Sequence, residues 1–147
     1  MRISTRTRYG SRALVELAMA YPDRPVSVRE VAQTQHISAK YLEHIMTTLK
    51  AAGLIKAVRG MHGGHMLTRP PSSINLRDVF AALEGSPALV DCVDYPNSCP
   101  MEDICPTQDT WIQIGQSIAD ILERTTLLDL IERKQRKSAA HAQMYHI

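Results

Sequence analysis

The sequence has no run approaching the ~18 to 20 unbroken apolar residues of a membrane span. Its opening, MRISTRTRYGSR, lacks the apolar segment and small-residue cleavage site of a secretory signal. These absences predict a soluble, cytoplasmic protein with no membrane partner. Cysteine is scarce, with three in 147 residues. An odd count leaves a remainder after pairing and the cytosol keeps thiols reduced, so a structural disulfide framework is not expected. Enzyme signatures are also missing. The glycines between Gly60 and Gly64 lack the lysine and serine or threonine of a phosphate-binding loop, and no nucleophile and base stand at a recognisable spacing. His62 and His65 flank those glycines, far along the chain from the cysteines. The expectation is a protein that is not an enzyme.

What is present divides into two halves. The length suits one domain with an appended element. The formal charge of +2 hides a split. Residues 1–69 carry eleven Lys or Arg against four Asp or Glu, a balance of +7, while residues 70–147 carry six against eleven, a balance of −5. The first half has the charge of a polyanion's partner.

In that half, Tyr9, Ala13, Leu14, Leu17, Ala18 and Tyr21 recur at helical spacing, with Arg6, Arg8 and Arg12 on the other face. Ser27-Val28-Arg29-Glu30 has the form of a capping box opening a short second helix with Val31 and Ala32 inside. After Gln35-His36-Ile37, Ser38 can cap a third helix with a stripe of Tyr41, Leu42, Ile45, Met46 and Leu49, stopped by Gly53. A short helix, a tight turn and a helix with a polar exposed N-terminal end make a helix-turn-helix, whose second helix can enter the major groove of duplex DNA.

The groove-facing candidates are Ser38, Ala39, Lys40, Tyr41, Glu43, His44 and Thr47. Lys40 can neutralise a phosphate or donate to guanine, whereas Glu43 is useful only where it accepts from a cytosine amino group. Two β-compatible runs, 54–58 and 65–68, surround the glycine-rich tip and predict a wing. Arg59, just before that tip, is the candidate for a minor-groove contact.

The second half begins with Asn75 capping a helix of Leu76, Val79, Phe80 and Leu83, with Gly85 past its end. From Trp111, the residues Ile114, Ile118, Ile121, Thr125 and Leu128 follow at alternating three- and four-residue intervals, which predicts one long dimerisation helix over 107–137. The segment 138–147 is read as a frayed tail. Between the winged unit, 1–85, and that helix lies a loop, 86–106, holding every cysteine: Cys92, Cys99 and Cys105. Three thiols among carboxylates in a proline-interrupted loop suit a soft metal or an iron–sulfur cluster. Zinc ranks second because no C-x-x-C pair is present, and a thiol switch third.

The start MRISTRTRYGSRALVELA, the segment ISAKYLEHIMTTLKAAGLIKAVRGMHGG and the three-cysteine loop before a Trp111-containing helix together resemble the IscR-like iron–sulfur cluster regulators, bacterial winged-helix transcription factors. The resemblance runs from Met1 to about Lys134. It implies a homodimer on a DNA operator, a cluster held by Cys92, Cys99 and Cys105, of 2Fe-2S type or, as in other branches, 4Fe-4S, and base contacts from Glu43 and Arg59. It further implies control of cluster biogenesis genes. The alternatives are the same fold with a zinc clip or thiol switch, or a nitric-oxide- or iron-responsive repressor. The histidine three residues after the third cysteine in cluster-biogenesis relatives is Gln108 here, and the acidic first-helix ligand of nitric-oxide sensors is Arg8. The fourth ligand stays open among Gln108, Asp109, Glu102, Asp103 and solvent.

Overall fold

The computed structural model describes residues 2–144. Three helices come first: α1 (Thr5–Ala20), α2 (Val28–Gln35) and α3 (Ala39–Ala51). The antiparallel strands β1 (Ile55–Val58) and β2 (Gly64–Leu67) pair from Ile55 opposite Leu67 to Val58 opposite Gly64. Then follow α4 (Leu76–Leu83), the single turn α5 (Asp91–Asp94), α6 (Gln108–Arg124) and α7 (Leu127–Met144). The fold is mostly helical with a small β wing. No described helix is long and apolar enough to cross a membrane.

The helix starts follow local chemistry. The hydroxyls of Ser4, Ser27 and Ser38 and the side chain of Asn75 each accept from a backbone N–H three residues on. The capping box at Ser27 is only half made, because the Glu30 carboxylate turns to Arg24 at 2.6 Å instead of back to the cap. Gly53, at φ 73°, ends α3 as expected.

The core is the meeting of α1, α3 and α4. Leu14, Leu17, Leu42, Ile45, Leu49, Ile55, Leu67 and Val79 are almost wholly buried in it. Gly10 lets α4 come close to α1, since a Cβ there would stand 2.3 Å from Leu83 Cδ1. Tyr41, expected inside the stripe, is instead 37% exposed at its edge, packed edge-on to Tyr9 with ring centroids 6.1 Å apart.

The long helix expected over 107–137 is two helices. Thr126 and Asp129 form a reciprocal cap: Asp129 accepts from the Thr126 N–H at 2.8 Å, and the Thr126 hydroxyl accepts from the Asp129 N–H at 3.2 Å. The freed backbone pairs with the start of α4, Leu76 N–H to Thr125 carbonyl and Leu127 N–H to Ile74 carbonyl. The residues expected to fray are helical through Met144, and residues 145–147 lie outside the described part. The first two turns of α7 pack back on the winged unit. Leu127 is fully buried, and Leu130 and Ile131 cover the core beside α1.

This packing sets an expectation. Leu127→Ala lowers unfolding free energy by about 2–5 kcal/mol in urea titration. Leu128→Ala, at a side chain 42% exposed, lowers it far less. Equal effects would mean that α7 does not dock.

Candidate nucleic-acid interface and cysteine loop

A helix that buries one stripe must turn the other outward, and α3 does so. Leu42, Ile45, Met46 and Leu49 point in, while Ser38, Ala39, Lys40, Tyr41, Glu43, His44 and Thr47 are exposed. Ser38 spends its oxygen on the Tyr41 N–H at 3.4 Å and keeps its hydroxyl proton free to donate. Arg59 follows β1 at the entrance to the wing tip and is exposed. Neither Lys40 nor Arg59 holds an ion-pair partner among the described residues. Exposed cations without an ion pair on a helix end and a wing suit a polyanionic partner in charge.

The arginines of α1 do not act alike. Arg6 donates to the Thr48 hydroxyl at 2.8 Å, tying α1 to α3. Arg12 donates to the Gln35 side chain at 2.7 Å and the Gln35 carbonyl at 2.6 Å, and its guanidinium lies 5.6 Å from the Tyr9 ring centre. It therefore grips the end of α2 beside the His36-Ile37 turn, where His36 adopts a left-handed conformation. Helical spacing placed Arg12 on the polar face but carried no sign of this partner, which is 23 residues away.

On the wing, the buried Nδ1 of His65 has no hydrogen-bond partner. Burial, and then the charge of Lys50, hold its pKa below the usual histidine value.

The cysteine loop starts from a fixed point. Glu84, at the end of α4, accepts from the Ser4 hydroxyl at 2.5 Å, the Ser4 N–H at 3.2 Å and the Thr7 hydroxyl. The loop thus leaves the winged unit from the first turn of α1. The start of the loop also meets α6, where Gly115 lies against the Pro87–Ala88 backbone. Trp111 and Phe80 line a cavity of about 500 Å³ beneath residues 86–90.

Cys92 lies in α5, Cys99 in the following turn and Cys105 just before α6; all three are free and half-buried. The Cys105 thiol stands 3.4 Å from the Thr107 hydroxyl. That hydroxyl, followed by the Thr107 backbone N–H, lowers its pKa from the ordinary thiol value. Among the candidate fourth ligands, Glu102 is already engaged by the Asn97 N–H at 2.7 Å. Asp103 and Asp109 are exposed, and Gln108 is half-buried at the start of α6.

The donors suit a thiophilic group in kind. However, no three Cys, His, Asp or Glu among the described residues stand where they could hold a metal ion together. The loop as folded does not assemble the cage.

Winged unit, exposed helix and appended helices match a known pattern over nearly the whole length. A family model described as Rrf2, iron-dependent transcriptional regulator, matches residues 3–133. The chain belongs to the Rrf2 family. It is a DNA-binding transcriptional regulator, not an enzyme. The protein rrf2 of Nitratidesulfovibrio vulgaris is 38% identical over 131 residues, 89% of this chain and 87% of that protein. The solved structure of CymR, the global cysteine regulator of B. subtilis, superposes with a TM-score of 0.76 at 33% identity, covering 90% of this chain and 98% of that one. The IscR of T. potens gives 0.75 at 31%, covering 91% and 88%.

The grip of Glu84 on α1 has a pH signature. Hydroxyl donors from Ser4 and then Thr7 hold its carboxyl below the ordinary glutamate value. A carboxylate depressed in the folded state contributes fully above its unfolded pKa, about 4.3. That contribution is lost as pH falls through the lower folded value. Urea midpoints measured down this acid limb should fall less steeply in Glu84→Gln than in the parent protein.

Proposed function

We propose that this Rrf2 regulator binds its operator as a homodimer, reads bases with Glu43 and Arg59, and takes its signal at the three-cysteine loop. Ser38, Lys40, Tyr41 and His44 would complete the contact set on α3. Lys40 supplies charge to phosphate, and Ser38 and His44 supply donors that can reach phosphate or a base edge. The dimer reading is supported by α6, where Ile112, Ile114 and Ile121 stay exposed while Gly115 and Ala119 face inward. Such a surface on a regulator that reads two half-sites suits a two-fold partner.

The observation that carries the signal reading is the address of the thiols. All three lie on the segment joining the winged unit to α6, which is tied at Glu84 to the start of α1 and runs through Cys105 into α6. In the first form of this reading Cys92, Cys99 and Cys105 hold an iron–sulfur cluster, 2Fe-2S or 4Fe-4S, which supplies redox or iron sensitivity when bound. The family description and the IscR relative support it. A second form is favoured by the unassembled thiols: the loop acts as a thiol switch or zinc clip, in keeping with a CymR relative named for cysteine regulation.

Anaerobic purification followed by visible absorption and iron, sulfide and zinc analysis separates the two. Matched iron and sulfide, lost on substituting any of Cys92, Cys99 or Cys105 by Ala, supports the cluster. A colourless protein with zinc or no metal supports the clip or switch and removes the cluster.

DNA contacts are tested on an operator selected from random duplexes. Lys40→Ala should weaken all sequences alike and reduce the salt slope by about 1. Glu43→Ala should cost about 1–3 kcal/mol of discrimination at one base pair. Unchanged sequence preference in Glu43→Ala would remove that residue from base reading.

A further inference from the structure

A cavity of about 750 Å³ lies between α1 and α7 and reaches Gln35, the last residue of α2. That volume is in the usual range for a small-molecule site, about 300–1,000 Å³. Part of its wall is apolar, from Val15 and Leu130. Around these stand four cations, Arg12, Arg133, Lys134 and Lys137, with a single carboxylate, Glu16.

The carboxylate is already committed. Glu16 accepts from Lys134 Nζ at 2.5 Å and from the Gln35 amide. Arg133 and Lys137 are exposed and hold no salt bridge among the described residues, although the charge of Arg133 reaches Asp129 one turn earlier on α7. The charge left over is positive, and its complement is an anion. A duplex backbone is convex and cannot enter a recess between two packed helices, whereas a small anion with an apolar body can.

We propose that this cavity binds an amphiphilic organic carboxylate, and that its occupancy acts on the helix-turn-helix. The carboxylate pairs with Arg133 and Lys137, and the apolar part rests on Val15 and Leu130. The route to DNA is short. Arg12 and Glu16 together hold Gln35, through the Arg12 bonds of 2.7 and 2.6 Å and the Gln35 amide donated to Glu16. Gln35 leads into the His36-Ile37 turn and so into α3. A carboxylate held by Arg133 and Lys137 stands in the same cavity as Arg12 and competes with the Gln35 side chain and carbonyl for it. The end of α2 is thereby loosened and the presentation of α3 changes.

The test uses the whole protein with two probes, 8-anilinonaphthalene-1-sulfonate as a fluorescent amphiphilic anion and octanoate as its competitor. The expected result is saturable fluorescence displaced by octanoate, with both affinities about tenfold weaker in the double variant Arg133→Ala/Lys137→Ala at an unchanged unfolding midpoint. Saturating octanoate should shift parent affinity for the selected operator about threefold or more and leave the double variant unmoved.

Equal fluorophore binding by the two proteins, or no displacement by octanoate, overturns the site. So does a parent dimer that excludes the fluorophore, because a second copy then fills the recess. A double variant that loses operator affinity and salt slope without any probe assigns these cations to phosphate contact and overturns the proposal. Binding without a shift in operator affinity overturns the link to α3.

Discussion

Everything the regulator presents to DNA depends on one constraint: α3 can expose its polar face only while Leu42, Ile45, Met46 and Leu49 stay locked against α1 and α4. The side chains that hold this lock are apolar and wholly inside, and burial of each is worth about 1.5–3 kcal/mol. The polar ties around it, Arg6 to Thr48 and Arg12 to Gln35, are exposed and contribute less to stability. Their role is directional. They set how α3 lies against α1, Arg6 at its last turn and Arg12 through the end of α2 just before it.

The same logic bears on the proposed role of the cysteine loop. A signal taken there must change something that the reader of DNA can feel, and a loop hanging freely would change nothing. Here the loop leaves from Glu84, which grips the first turn of α1 through Ser4 and Thr7, and returns through Gly115 and Trp111 to its own starting residues. The loop is therefore short of slack at both ends. A change in the chemical state of Cys92 or Cys105 has α1 on one side and α6 on the other to push against.

Much of this was readable because it is local. Ser27, Ser38 and Asn75 announce helix starts through hydrogen bonds three residues long, and Gly53 announces a stop through its backbone freedom. The exposed set on α3 follows from the same spacing that buries Leu42 and Ile45. What escaped was long-range. Nothing near Arg12 names Gln35, nothing near Glu84 names Ser4, and the cysteine spacing does not say whether the loop brings its thiols together. Glu30 shows the converse: its capping partner was close at hand, yet Arg24 from the preceding turn took the carboxylate.

The break between α6 and α7 combines both cases. Thr126-Leu127-Leu128-Asp129 carries its own helix-start signal, and the alternating apolar seam running through it concealed that signal. The cap makes a turn available, but it does not require one. The turn is taken because Thr125 and Leu127 find backbone partners at Ile74 and Leu76, and because Leu127 finds a place in the core. One apolar stripe thus divides between two tasks. Leu127, Leu130 and Ile131 complete the chain's own core, and Ile112, Ile114 and Ile121 are left exposed on α6. A single continuous helix would have carried Leu127, Leu130 and Ile131 away from α1. Bending it at Thr125 brings α7 back over α1, so the appended helices become part of the body that holds α3.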